Sequence, residues 1–216
     1  MRKTNRFLAG PQVSGDSFFG RRKELNWLGE WMFGALPCCG LSIVGPHRIG
    51  KSSLVAQVLR EHAGQDNVLV IRMNMAEYPD AASFWYIFAE ELESGLREKG
   101  IWDDGLERAR EKLECVAAKA SNWYIRMRQP LINMLSKTRA QGLRVLWVVD
   151  EFDAARWVLD EKCYFQFIRT LSSETDRYNM TTILISRSPV AEIERSADGI
   201  STFHGVFATF PLYGFN

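Results

Sequence analysis

The run GPHRIGKSSL, Gly45 to Leu54, limits what this chain can fold into more than any other stretch. Gly45, Pro46, His47, Arg48, Ile49, Gly50, Lys51 and Ser52 match G-x-x-x-x-G-K-S/T at every fixed position. At average residue frequencies a chain of this length meets that pattern by chance about once in a hundred. The context also fits: an apolar run, Leu41 to Val44, precedes it and a helix-like run, Ser53 to His62, follows. A loop that doubles back before a helix aims consecutive backbone N–H groups at one point, and glycine keeps side chains out of the way. The helix N-terminus adds the positive end of its dipole. That is a cradle for a polyphosphate. Lys51 would reach the β- and γ-phosphates as a mobile point charge, and the Ser52 hydroxyl would ligate Mg²⁺.

The remaining periodicity places this loop in an α/β domain. Lys23 to Phe33 carries Leu25, Leu28 and Met32 at helical spacing. VLVIRM, Val68 to Met73, is a near-continuous apolar run, as expected inside a parallel sheet covered on both faces. Asp80 or Ser83 would cap a helix carrying Phe84, Phe88, Leu92 and Leu96, and the stripe that includes Trp85 reads as core. Trp102 to Arg139 reads as further helix, broken before Pro130, with Gly142 as its stop. RVLWVVD, Arg144 to Asp150, is the strongest strand, and Tyr164, Phe167, Ile168 and Leu171 mark the helix after it. TTILIS, Thr181 to Ser186, is a fourth strand and Val206 to Leu212 a fifth. Strands alternating with helices predict a doubly wound, three-layer sandwich around a five-stranded, mostly parallel sheet, with a helical insertion from Ala81 to Gly142. Residues 1–17 read as an N-terminal arm, and residues 18–216 as one domain.

In such a sheet, ligands bind beyond the carboxyl ends of the strands. VVDEFD therefore brings Asp150 and Glu151 to the edge that holds the phosphate loop. Asp150 would hold Mg²⁺ through water, and Glu151 would accept a proton from an attacking water. Asp153 reads as a helix cap. Arg187, ending ILISRS, would reach a γ-phosphate from the same edge and so tell triphosphate from diphosphate. An acid beside the metal aspartate, and a strand intervening in sequence between loop and acid, predict the additional-strand, catalytic-glutamate type of P-loop NTPase. The sequence has no N-K-x-D motif, which weighs against GTP.

Charge narrows the partners. Lys and Arg number 27 against 26 Asp and Glu, a net charge of +1, so no broad nucleic-acid or membrane-surface footprint is expected. Arg126, Arg128, Lys137 and Arg139 read as a solvated helix face. No window has the length of a membrane span. Cys38, Cys39, Cys115 and Cys163 form no metal-ligand spacing and read as reduced thiols of a cytoplasmic protein.

Taken together, FFGRRKE (Phe18 to Glu24), GPHRIGKSS, VVDEFD and ILISR resemble the STAND ATPases, in the branch of archaeal and bacterial AAA-related ATPases. The tail STFHGVFATFPLYGF resembles the approach to that family's last core strand, so the resemblance runs from about Phe18 to Leu212. It implies adenine-side contacts near Phe19, Gly20 and Arg21, and phosphate contacts at Gly50, Lys51, Ser52 and Ser53. It implies magnesium at Ser52 and Asp150, water activation by Glu151 and γ-phosphate sensing by Arg187. A helical lid and a winged-helix segment would follow the core in that family, beyond Asn216. The expected function is a slow, Mg-dependent ATP-hydrolysing switch that cycles between ATP and ADP and drives signalling or defence output through other domains. A nucleotide-dependent homo-oligomer and an unidentified protein partner go with it. The competing expectations are an AAA+ motor or loader acting on DNA or protein, and a non-hydrolysing interaction module.

Overall fold

The computed structural model describes residues 15, 18, 20–34, 40–114, 123–198, 203 and 205–214. The expected arm, apart from Gly15, lies outside them, as do Phe19, Cys38, Cys39 and Cys115. The chain runs through α1 (Arg22–Phe33), β1 (Gly40–Val44), α2 (Lys51–Glu61) and β2 (Val68–Asn74). The connection to the next strand holds α3 (Ala81–Glu98), α4 (Asp104–Glu114) and α5 (Trp123–Ala140). Then come β3 (Arg144–Asp150), α6 (Ala155–Val158), α7 (Lys162–Ser173), α8 (Thr175–Tyr178), β4 (Met180–Ser186), α9 (Val190–Asp198) and β5 (Phe207–Pro211).

The five strands lie in the order β2-β3-β4-β1-β5, and every neighbouring pair is parallel. This is the core of a P-loop NTPase, with β4 between the loop strand β1 and the acidic strand β3. Because all strands point one way, Val44, Asp150 and Ser186 end at the same edge.

Strand periodicity explains why β3 is apolar throughout. Val145, Trp147 and Val149 face a core shared with α3, α5 and α7, whereas Leu146 and Val148 face one shared with α1 and α2. Alternate side chains point to opposite faces, so a strand covered on both sides has no polar face to present. The first core is heavily aromatic. Phe84, Trp85, Phe88, Trp147 and Phe167 are all fully buried and in ring contact, which identifies the α3 aromatic stripe as packing.

Local signals set several boundaries. The Asp80 side chain accepts from the Ser83 N–H at 2.8 Å and caps α3, so Asp80 is the cap and Ser83 the donor. At the end of α5, Gly142 takes φ 76°; its N–H bonds Arg139 O and the Leu143 N–H bonds Thr138 O, the paired bonds of a Schellman stop. The expected break before Pro130 does not occur: α5 runs through it. Proline costs one helical hydrogen bond there, but Met127, Pro130, Leu131, Met134 and Leu135 are all buried, and that packing holds the helix together. α2 starts at Lys51 rather than Ser53, so Lys51, Ser52 and Ser53 form its first turn.

Candidate nucleotide site

The phosphate loop is held at both ends by neighbouring strands. The Gly45 N–H donates to Ser186 O at 3.3 Å, and the Leu212 N–H donates to Val44 O at 2.7 Å. A Cβ on Gly45 would stand 2.5 Å from Leu212 O, a backbone atom that cannot give way. Gly45 is therefore glycine because the segment after β5 presses on it. Gly50 is glycine for another reason: its φ is 96°, with open space around the missing side chain. Between them Pro46, His47 and Arg48 are exposed, Ile49 is half-buried, and Arg48 also takes a left-handed φ of 60°.

Lys51 lies folded over this loop. Its Nζ donates to Gly45 O at 2.8 Å and to Pro46 O at 3.0 Å. Burial lowers its pKa from the ordinary lysine value; Glu151, Asp150 and Asp153 oppose that shift, and Arg187 adds to it. Four residues from two separate segments, 150–153 after β3 and 187 after β4, thus act electrostatically on one ammonium group. The parallel order β3-β4-β1 brings the ends of these strands to one edge, which places these groups near the loop.

Asp150 ends β3 half-buried, and its Oδ1 accepts from the Glu151 N–H at 2.8 Å. Glu151 takes φ 48° and ψ 41°, a left-handed conformation uncommon outside glycine and costly for a glutamate. Asp153 corrects its expected role. It caps no helix; its buried carboxylate accepts the Arg187 N–H at 2.6 Å and the Ser188 N–H at 3.1 Å, both beyond the end of β4. The Arg187 guanidinium is half-exposed, with Nε 3.7 Å from Asp153 Oδ2.

Arg21 is buried rather than part of an exposed basic turn, whereas Arg22 and Lys23 are exposed. Its guanidinium donates to Ile49 O at 3.3 Å, Tyr213 O at 2.8 Å and Glu24 Oε1 at 3.4 Å. It joins the segment before α1, the phosphate loop and the segment after β5. Gly20 precedes it with φ 77°. Sequence reasoning missed the contribution of Leu212 and Tyr213 and the anchoring role of Asp153. The spacing D-E-x-D was the one available signal for the latter.

Among the described residues, no group of three or more His, Cys, Asp or Glu side chains is arranged to hold a metal unaided. A hard cation such as Mg²⁺ needs less from the protein: one or two oxygens, with phosphate and water completing its shell. The Ser52 hydroxyl and the Asp150 carboxylate are donors of that kind.

A family profile described as an AAA ATPase domain matches residues 17–183. No curated protein matches the chain. Among solved structures, it is similar to Drosophila ORC bound to DNA, at 18% identity and a TM-score of 0.60, over 92% of this chain and 44% of that one. It is similar to a Walker-type ATPase of Pyrococcus abyssi, at 16% identity and a TM-score of 0.58, over 98% and 58%. The Aeropyrum pernix ORC1 protein in complex with DNA follows at 15% identity and a TM-score of 0.55, over 95% and 47%. The chain thus spans about half the length of these relatives, and the likeness is one of fold.

Proposed function

Given that this chain belongs to the AAA ATPase domain family, we propose that it is an ATP-binding and ATP-hydrolysing switch of the STAND kind. The observation that carries this reading is that the phosphate loop with Lys51 folded over it, Asp150 and Glu151 at the end of β3, and Arg187 just beyond the end of β4 all lie at one edge of a parallel sheet. Lys51 exchanges its bonds to Gly45 O and Pro46 O for the β- and γ-phosphate oxygens. The N–H groups opening α2 hold the phosphates, with Ser52 and Ser53 in its first turn. Ser52 and Asp150 would hold Mg²⁺, which would supply neutralisation of the phosphate charge. Glu151 takes a proton from the water that attacks the γ-phosphorus, and ADP leaves with the bridging oxygen. The strained backbone at Glu151 supports that role, because such strain concentrates where a side chain must be aimed. Gly20 and Arg21 are assigned the adenine side, together with Phe19, which lies outside the described residues, and Arg187 senses the γ-phosphate.

Turnover is slow, and the output is signalling or defence through domains outside this sequence, with a protein partner or a nucleotide-dependent homo-oligomer as the route. No helix among the described residues is long and apolar enough to cross a membrane; a cytoplasmic site of action is part of the proposal.

The decisive experiment is calorimetric titration of Mg-ATP and Mg-ADP beside Lys51→Ala, with hydrolysis measured for Glu151→Gln. Binding lost in Lys51→Ala and hydrolysis lost in Glu151→Gln, with ATP binding retained, are the expected results. Unchanged hydrolysis in Glu151→Gln would remove Glu151 from catalysis. A second reading, a loader acting on DNA, draws on the fold likeness to ORC bound to DNA. Hydrolysis stimulated by DNA and weakening steeply with salt would favour it.

A further inference from the structure

We propose that Asp153 is the positioning residue for Arg187, and that it sets how strongly this site prefers ATP over ADP. The inference rests on the reading of Arg187 as the γ-phosphate sensor. The β3–β4 register ends at Val149 paired with Leu184. Beyond it the N–H groups of Arg187 and Ser188 have no strand partner on that side, and Asp153 supplies one carboxylate oxygen to each. The Asp153 side chain is only 7% exposed, so its charge is spent on these two donors and on the nearby guanidinium. The same exit is held elsewhere: Ser186 Oγ donates to Ser188 O at 2.7 Å, and Ser186 O accepts from Gly45 of the phosphate loop. The backbone of residues 186–188 is therefore fixed to the acidic loop and to the phosphate loop at once.

The Arg187 head is not fixed. It is 54% exposed, and its Nε lies 3.7 Å from Asp153 Oδ2, a loose contact. Asp153 thus does two things to one residue. It anchors the Arg187 backbone, which sets where the side chain starts, and it offers the guanidinium a resting anion. A γ-phosphate carries more charge than one carboxylate and draws the head away, while the backbone bonds hold. ADP has no γ-phosphate, so the head stays with Asp153. The anchor matters for triphosphate affinity and leaves diphosphate affinity alone.

The test is calorimetric titration of Mg-ATP and Mg-ADP into the whole chain, with thermal melting of each variant. The variants are Asp153→Ala, Asp153→Asn, Arg187→Ala and the Asp153→Ala/Arg187→Ala pair. The expected result is an ATP-to-ADP affinity ratio lowered about fivefold or more in Asp153→Ala, with ADP affinity unchanged. The double variant matches Arg187→Ala, because the aspartate acts through the arginine. Asp153→Asn, which keeps one carbonyl acceptor for the backbone, gives an intermediate ratio and serves if Asp153→Ala does not fold. A wild-type ratio in Asp153→Ala or Asp153→Asn, while Arg187→Ala collapses it, overturns the positioning role alone. So does a parallel loss of both affinities with the melting temperature, which is what a purely structural aspartate produces. Additive effects in the double variant overturn it as well. If Arg187→Ala itself leaves the ratio untouched, the sensor reading fails and takes this inference with it.

Discussion

Lys51 is pulled two ways. Burial favours its neutral form, and the acids around it favour the charged form; burial is the larger effect and its pKa falls. Between that lowered pKa and the ordinary 10.5, the unfolded chain binds more protons than the folded one. The sign follows: this lysine costs the ligand-free fold stability at neutral pH, and the cost is relieved as pH rises through that window. Phosphate reverses the preference, since it binds the ammonium form. Mg-ATP affinity is therefore expected to decline with a midpoint below pH 10.5, and binding near that midpoint to take up protons. Titrations in buffers of different ionisation enthalpy measure both. An affinity that holds to pH 10.5 would contradict the lowered pKa. The neighbouring glycines divide the labour: Gly45 admits the backbone of Leu212, and Gly50 admits a φ closed to most residues.

Among the elements, β3 does most to fix the site. It carries Asp150 at its end, and its Trp147 sits at the centre of the aromatic core, against Phe84, Trp85 and Phe88, with Nε1 3.4 Å from Met73 Sδ. Truncating Trp147 to alanine is expected to cost about 3–5 kcal/mol, because the fully buried ring leaves a cavity its neighbours cannot fill. Urea unfolding measures this, with Trp147→Phe recovering part of the loss; a cost under about 1 kcal/mol would mean the core is loosely packed. The α3–α5 layer is pinned by charge as well as by apolar packing. Arg110 of α4, 4% exposed, donates to Glu93 of α3 at 2.9 Å and lies over the Tyr86 ring.

At the scale of the molecule, Arg21 is the link between distant parts of the sequence. One guanidinium holds Ile49 O, 28 positions on, and Tyr213 O, 192 positions on. Arg21→Ala would strip two carbonyls of a charged donor and is expected to destabilise the chain by about 1.5–3 kcal/mol in denaturant titration. Arg21→Lys should recover little, since a single ammonium does not reproduce the planar fork. Full recovery by lysine would show that charge alone is needed there. Cys163 is a quieter feature: burial, with Glu161 beside it, pushes its thiol up to about 12, so it stays protonated at neutral pH.

How much of this was legible in the sequence depended on how far apart the cooperating atoms lie. The loop from Gly45 to Ser52, the acids Asp150 and Glu151 and the five strands are written in short runs, because backbone geometry and two-residue or four-residue periodicity act over neighbours. The continuation of α5 through Pro130 was not legible, because a local penalty was outweighed by burial against other elements. Nor was the work of Asp153 and Arg21. The partners of Asp153 lie 34 and 35 positions away, and its spacing from Asp150 suits a helix cap equally well. Sequence by itself determined that strands would carry a phosphate cradle and an acidic pair to one edge. Only the tertiary structure decided which carboxylate anchors Arg187 and which arginine ties the ends of the domain to the loop, because those hydrogen bonds exist only once the parallel strands have set their ends side by side.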